Sequence, residues 1–433
     1  MLKAIKIRVY PNLEQQVYIS KLLGSCRFLF NNCLAHKIEE FNKNNKSLSF
    51  SELGKYLVEL KSVEEYKWLK ESHSKVLQQT LINLDTAYKN FFKNGNGFPK
   101  FKSKKDNKYS CRFPNDAIGK IKGNRINIIK PLSNIHFKCS KSDEIYLNHN
   151  QKQIKSATLT KDKSGDYYFS ILIEDSRIKT LLISDNILGI DLGIKDFVID
   201  SNDKRYENIK TIRNNQKKLA RLNRELSRKQ YIKTGEFKFN AKYNKDAEIK
   251  LPSKNREKCR IKLAKYNQKL ANQKEYYLHS VANQLLNENQ VIVMEDLNVN
   301  GMLKNHKLAK SIQELSLNRF KTILTYKSEW YGRDLVQIDR FFPSSKLCNC
   351  CGYKKTDLTL KDREWVCPEC GVIHDRDLNA AINIKKEGQR ILSITETKVN
   401  DLRIKNKIGL SSPELTSMES SGYTLGEIEK ECN

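Results

Sequence analysis

The 433-residue chain carries 79 Lys and Arg against 50 Asp and Glu, a net charge of +29. Such an excess excludes a merely well-solvated surface and implies a polyanionic partner, for which nucleic acid is the usual chemistry and a membrane surface the alternative. The length suffices for two to four domains with packed cores, and no apolar run approaches the ~18 residues of a spanning helix.

The start, MLKAIKIRVYP, lacks a signal-peptide core, so the chain reads as cytoplasmic, nucleoid-associated and without a membrane partner. In it Ile5, Ile7 and Val9 alternate with Lys6 and Arg8, which predicts a strand. Pro11 ends it, and a helix is expected from Leu13 to about Asn42. A second helix is expected over Ser74–Phe92, with Leu77, Leu81, Leu84, Tyr88, Phe91 and Phe92 on one face and Lys75, Gln78 and Gln79 on the other. The basic stretch KFKSKKDNKYSCRF that follows interleaves Phe101, Tyr109 and Phe113, a composition suited to nucleic acid. RINIIKP, EIYLNHN, SATLTKD and DYYFSILIED then read as short strands of a small antiparallel barrel. The first strand joins them, and the helical block is an insertion.

Ile187–Gly193 is an apolar strand with a single carboxylate, Asp191. A desolvated charge is costly without a partner, so Asp191 either faces a cation or sits at a strand end in solvent. Residues 203–275 form a polar helical block with 23 Lys/Arg and 8 Asp/Glu. Arg221, Arg224, Arg228 and Lys229 recur there at helical spacing, a pattern suited to tracking phosphates. A second apolar strand, Gln290–Leu297, carries Glu295. Residues 308–331 read as one helix and Leu335–Asp339 as another strand.

Cys348-x2-Cys351, fifteen residues, and Cys367-x2-Cys370 match a zinc ribbon, in which four thiolates close a structural Zn2+ site. Cys350 lies inside the first knuckle as a surplus thiol, and the x2 spacing favours its neighbours. Asp375-Arg-Asp377 opens the helical run DLNAAINIKK, where Ala380 and Ala381 permit close approach. By itself Asp377 reads as a helix cap. Residues 391–433, with 5 basic and 7 acidic groups, read as a disordered tail.

Asp191 on a first strand, Glu295 on a later one and Asp377 at a helix start follow the plan of a ribonuclease-H-like fold, which gathers carboxylates at one end of a sheet. Carboxylates bind hard cations such as Mg2+, and two such ions ~4 Å apart promote phosphodiester hydrolysis. A transposase of the Asp-Asp-Glu order would place its Glu last. A plain zinc-ribbon binder would not require three acids on core elements.

GIDLG at 189–193, VMEDL at 293–297, SSKLCNCCG at 344–352 and HDRDLNAA at 374–381 resemble the signature of TnpB, the insertion-sequence protein often named a transposase and related to type V CRISPR nucleases. LQQTLINLDTAYKNFF at 77–92 and FPKFKSK at 98–104 resemble that family too, so the likeness spans roughly residues 1–390. The resemblance implies an α+β multidomain RNA-guided DNA endonuclease, with guide RNA and target double-stranded DNA as partners. Its implied domains are a wedge β-barrel at 1–10 plus 96–185 with a helical recognition insertion at 11–95, a RuvC-like nuclease domain at 186–343 plus 373–390, and a zinc ribbon at 344–372. By motif, Asp191, Glu295 and Asp377 take the catalytic places and hold Mg2+, with Asp375 the runner-up for the third. Cys348, Cys351, Cys367 and Cys370 take Zn2+. Lys75 and Gln79 become candidate contacts to the short duplex motif beside the target. A nuclease-inactive RNA-guided repressor and a DNA-binding transposase accessory are the alternative functions.

Overall fold

In a computed structural model of the chain, residues 1–103, 109–229, 253–306, 308–359 and 362–407 are described, the side chains of 109 and 395–407 excepted. Parts of the basic stretch after Phe98, of the 203–275 block and of the C-terminal tail therefore lie outside the described residues. The chain forms two compact units, Met1–Thr180 with Ile209–His279, and Leu181–Asn208 with Ser280–Asn433. Among the described residues no helix is long and apolar enough to cross a membrane.

The first unit opens with β1 (Leu2–Tyr10), α1 (Leu13–Asn44), α2 (Phe50–Ser62) and α3 (Ser74–Asn94). The strands β2 (Tyr109–Pro114), β3 (Ile121–Lys122), β4 (Arg125–Ile126) and β5 (Ile135–Lys138) follow. After them come α4 (Lys141–His149), β6 (Ile154–Lys161) and β7 (Tyr167–Glu174). The seven strands make one antiparallel sheet in the order β2-β6-β7-β1-β5-β4-β3. Ile5, Ile7 and Val9 on β1 and Phe169, Ile171 and Ile173 on β7 share a buried core with α1 to α3. β1 thus sits between β7 and β5, strands more than a hundred residues later in the chain, which pair with its two backbone edges while α1 to α3 cover its apolar face.

Two expectations change here. EIYLNHN is not a strand: Glu144 to His149 lie in helix α4 and Asn150 is its C-cap. The Ser140 side chain caps it by accepting the Asp143 N–H at 3.1 Å, Asp143 and Glu144 favour its first turn, and Tyr146 and Leu147 are buried. Helix α2, which was not among the expected elements, starts at a capping box. Ser49 and Glu52 each satisfy the other's backbone N–H, ahead of buried Leu53, Leu57 and Leu60. The same unit includes α5 (Thr211–Asn214), α6 (Gln216–Arg228) and most of α7 (Lys254–Glu288). Gln268 on α7 donates to Asp162 at 2.7 Å and to the Tyr168 hydroxyl at 2.8 Å, which seats that helix on the β6–β7 hairpin.

In the second unit the strands are β8 (Ile187–Asp191), β9 (Asp196–Asp200), β10 (Arg205–Glu207), β11 (Val291–Glu295) and β12 (Asp334–Ile338). Their order is β10-β9-β8-β11-β12. β8, β9 and β10 pair antiparallel as a meander, while β8, β11 and β12 are parallel. This is the ribonuclease-H-like arrangement. Between β11 and β12 lie α8 (Val299–Met302), α9 (Ala309–Leu315) and α10 (Leu317–Tyr331). The single helix expected over 308–331 is broken at Ser316, whose φ of +55° leaves the helical region. β13 (Glu364–Val366) and β14 (Ile373–Asp375) form a small hairpin that runs directly into α11 (Arg376–Lys407). The helical backbone of α11 extends beyond Arg390, into the first part of the segment read as a disordered tail. No Gly or Pro interrupts the sequence between Gln389 and Lys407.

Helix α11 packs on β8 with almost no separation. A Cβ built on Gly189 would lie 2.2 Å from the Ala381 carbonyl oxygen and 2.5 Å from the Lys385 nitrogen. Farther along, a Cβ on Gly388 would lie 2.4 Å from a Val293 methyl. Glycine on the strand, buried Ala380 and Ala381 and glycine on the helix together set how near α11 comes to the sheet.

Candidate active site and metal centre

Parallel pairing aligns the first two acids. Met294 on β11 stands opposite Ile190 on β8, so the next residue of each strand, Glu295 and Asp191, ends its strand at the same edge of the sheet. Asp191 lies two residues beyond Gly189, ~6.6 Å along a strand and on the same face. Asp377 lies one helical turn before Ala381, ~6 Å along α11 and on the same face. Since Ala381 rests on Gly189, the third acid is carried to the same place.

The electrostatics report that convergence. Burial, then the Glu295 and Asp377 carboxylates, push the Asp191 carboxyl up from 3.8 to about 7, against the pull of Arg376 and the Leu192 N–H. Burial also raises Glu295, opposed by the Ser344 hydroxyl, which donates to its Oε1 at 2.5 Å. Asp377 is held by Arg363 at 3.0 Å and Arg376 at 3.2 Å. The carboxylates are spread wider than the cysteine cluster below. Among the described residues, only those cysteines form a group of three or more metal-capable side chains with all ligand atoms within 4.8 Å.

Asp191 makes stability depend on pH. An unfolded chain loses this proton near pH 4, whereas the folded one keeps it to about 7. In that window the native state holds more protons, so stability falls as pH rises. Without added divalent metal, Asp191→Asn should melt with wild type near pH 4 and several degrees above it beyond pH 7. Melting curves that run parallel from pH 4 to 8 would contradict this.

Neighbouring acids are occupied elsewhere. Asp375 Oδ1 accepts the N–H groups of Asp377 and Leu378 at 3.0 and 2.9 Å, and its other oxygen pairs with Arg205 at 3.1 Å. Despite burial, the Leu378 N–H and Arg205 hold its carboxyl below the usual value. The cap that the sequence suggested for Asp377 is therefore Asp375. Asp296, next to Glu295, turns away to Lys321 at 3.0 Å and Arg340 at 2.5 Å.

The four cysteines come from two matching knuckles. In each, the first cysteine's carbonyl accepts the N–H of the following glycine, Cys348 from Gly352 at 3.0 Å and Cys367 from Gly371 at 2.9 Å. Both glycines have positive φ, +80° and +71°, which a side chain tolerates poorly. Cys348 and Cys370 Sγ, and Cys351 and Cys367 Sγ, lie 3.5 Å apart, close to the ~3.8 Å of sulfurs around one zinc. Burial raises the Cys348 thiol, but the N–H groups of Cys351 and Cys350 and the ring of His374 bring it down to about 6. His374 is buried, meets the Trp365 ring at a tilt of 42° and sets Nε2 3.0 Å from Cys348 Sγ. Cys350 is exposed and outside the cluster. Purified protein should contain about one zinc per chain by elemental analysis. Cys350→Ser should keep that content and Cys367→Ser should lose it; a halved content in the former would place Cys350 among the ligands.

The nucleic-acid candidates are in the first unit. Arg221, Arg224 and Arg228 are exposed and line one shallow concavity of α6 with Glu225 and Lys229. Gln79 is half-buried, and Lys75 forms an ion pair with Asp116. Residue-type reasoning missed Ser344, Asn379 and Asn383. The two asparagines four apart beside the alanines of NAAIN were the available signal, since they share a helix face.

Three family profiles match: "Probable transposase" over residues 170–306, "Cas12f1-like, TNB domain" over 318–384 and "Helix-turn-helix domain" over 1–46. The last region is here one strand followed by a single long helix. The "TnpB-like protein MJ0751" of Methanocaldococcus jannaschii is 28% identical over 233 residues, 51% of this chain and 76% of that protein. The "Putative RNA-guided DNA endonuclease" of Streptomyces pristinaespiralis is 34% identical over 386 residues, 89% of each chain. The chain belongs to the TnpB family. Its fold resembles the protein in the "Cryo-EM structure of the Cas12f1-sgRNA-target DNA complex" at a TM-score of 0.52 and 13% identity, covering 89% of this chain and 98% of that one. The α+β architecture and the cysteine cluster of this TnpB-family chain agree with that likeness.

Proposed function

We propose that this TnpB-family chain is an RNA-guided DNA endonuclease that hydrolyses target phosphodiesters with divalent metal at Asp191, Glu295 and Asp377. The observation that carries this reading is the convergence of three carboxylates at one sheet edge, where burial and then the Glu295 and Asp377 charges push Asp191 up to about 7. Such a site favours a cation, and its all-oxygen donors suit Mg2+. Bound there, such ions supply an activated water and stabilise a leaving phosphate oxygen. Two ions span a wider set of ligands than one, in keeping with the spread of the acids. Around the ions, Ser344 holds Glu295 and Asp375 fixes the first turn that carries Asp377. The relative's name supplies the guide RNA and the DNA target, and the net charge of +29 suits both. In this reading the cysteines hold a structural zinc, and the domains divide as the family resemblance implies except that residues 209–279 pack with the first unit.

The test is reconstitution. The purified chain should carry a uniform structured RNA whose variable end, once sequenced, names a DNA that the complex cuts only with Mg2+. Heterogeneous RNA with no guided cutting would leave a plain nucleic-acid binder. RNA affinity should fall steeply with salt through counterion release. Neutralising Arg221, Arg224 and Arg228 together should flatten the log–log slope by roughly 2–3, at ~0.7–0.9 for each phosphate that is no longer neutralised. An unchanged slope in a filter-binding titration would assign that face of α6 to solvent.

A further inference from the structure

Ser344 stands on the loop between β12 and the first zinc knuckle, far in sequence from Glu295 and only 7% exposed. Its hydroxyl donates to Glu295 Oε1 at 2.5 Å. Among the described residues, no hydrogen bond engages Glu295 Oε2. A carboxylate anchored through one oxygen presents the other in a fixed direction.

The anchor is itself held. The buried Asn383 side chain on α11 donates to the Ser344 carbonyl at 2.8 Å and to the Leu347 carbonyl at 2.7 Å. One turn earlier Asn379, also buried, donates to Leu347 at 2.7 Å and accepts the Asn349 N–H at 2.9 Å. The helix that brings Asp377 to the site therefore also grips residues 344–349, where the first cysteine knuckle begins. These groups are desolvated, so each bond left unmade costs the full desolvation of its partner.

We infer that Ser344 is a positioning residue for the metal site: locked by Asn383, its hydroxyl orients the Glu295 carboxylate so that Oε2 faces a divalent ion. This rests on the nuclease reading above. Partners that orient a ligating carboxylate typically change metal affinity 10- to 100-fold when removed. A hydroxyl kept as threonine should retain the effect, whereas alanine should not.

The test uses the full chain with its co-purified RNA. Fe2+ takes the place of Mg2+, and ascorbate with peroxide then cuts the polypeptide next to the bound iron. Cuts near residues 191 and 295 report the site itself, unlike bulk metal binding to RNA. The Mg2+ concentration that halves the cut gives the affinity. Ser344→Ala should raise that concentration at least tenfold, Ser344→Thr should return it to within about threefold of wild type, and Asn383→Leu should move it the same way as Ser344→Ala. Zinc content and bound RNA should be unchanged in all three. If Ser344→Ala leaves the cut and its Mg2+ competition at wild-type values while Glu295→Ala abolishes them, the role given to Ser344 is wrong and the nuclease reading stands. If Asp191→Ala and Glu295→Ala also leave the local cut intact, the metal site itself is misplaced. A melting temperature that falls in Ser344→Ala with no change in Mg2+ competition would make Ser344 merely structural and overturn the inference.

Discussion

Asp191→Ala, Glu295→Ala and Asp377→Ala should each lower guided DNA cleavage by about a thousandfold or more. Removing one carboxylate loses or displaces an ion whose contribution is several kcal/mol of transition-state stabilisation, and ~1.4 kcal/mol is a factor of ten in rate. Guide and target binding should persist, because the exposed arginines of α6 belong to other elements. Asp375→Ala should cut better than Asp377→Ala but less well than wild type. Its carboxylate accepts two N–H groups of the first turn of α11, and loss of such a cap typically costs ~1 kcal/mol without deleting a proposed ligand. Single-turnover cleavage rates on a matched target decide the matter. A reversed ranking of the two would make Asp375 the third ligand, and wild-type rates throughout would leave a guided repressor or plain binder.

The second large effect comes from a residue that touches no substrate. Gly189→Ala should lower cleavage by at least about a hundredfold and also lower the melting temperature. Its Cβ would meet the Ala381 carbonyl oxygen and the Lys385 nitrogen, both helix backbone that no rotamer change can move. α11 must then retreat by about 1 Å, and a shift of that size commonly costs a hundredfold in a preorganised site. Gly388→Ala offers a contrast. There the clash is with the Val293 methyls, so adding Val293→Ala should restore most of the lost stability and rate. Full activity in Gly189→Ala would mean that Asp377 is not set by the helix–strand packing.

Periodicity and turn chemistry made much of this molecule readable. β1 and the strands that end at Asp191 and Glu295 follow from short apolar runs bounded by turn residues. α1 and α3 follow from helical spacing, and the knuckles from Cys-x2-Cys followed by glycine. Misreadings arose where local signals competed. EIYLNHN has strand-like alternation, yet the serine cap and acidic first turn of α4 prevailed. α2 went unread although its Ser49–Glu52 box is followed by Leu53, Leu57 and Leu60 at helical spacing. The helix α11 continued past Arg390 because nothing in the sequence stops it there. That residues 209–279 pack with the first unit also follows from tertiary packing rather than from order along the chain.

By itself, then, the sequence determined most of the elements, the two knuckles, the charge and the three acids at element ends, since each depends on residues within a few positions of one another. The tertiary structure alone decided which of two aspartates caps α11, that Asp296 turns to Lys321 and Arg340, and that Ser344 reaches Glu295 across 49 positions. The physical reason is that burial and Coulomb repulsion are properties of what surrounds a group. Asp191 acquires its raised pKa from burial in the packed sheet first, and then from Glu295, set beside it by parallel pairing, and Asp377, brought in by α11 because Gly189 has no side chain.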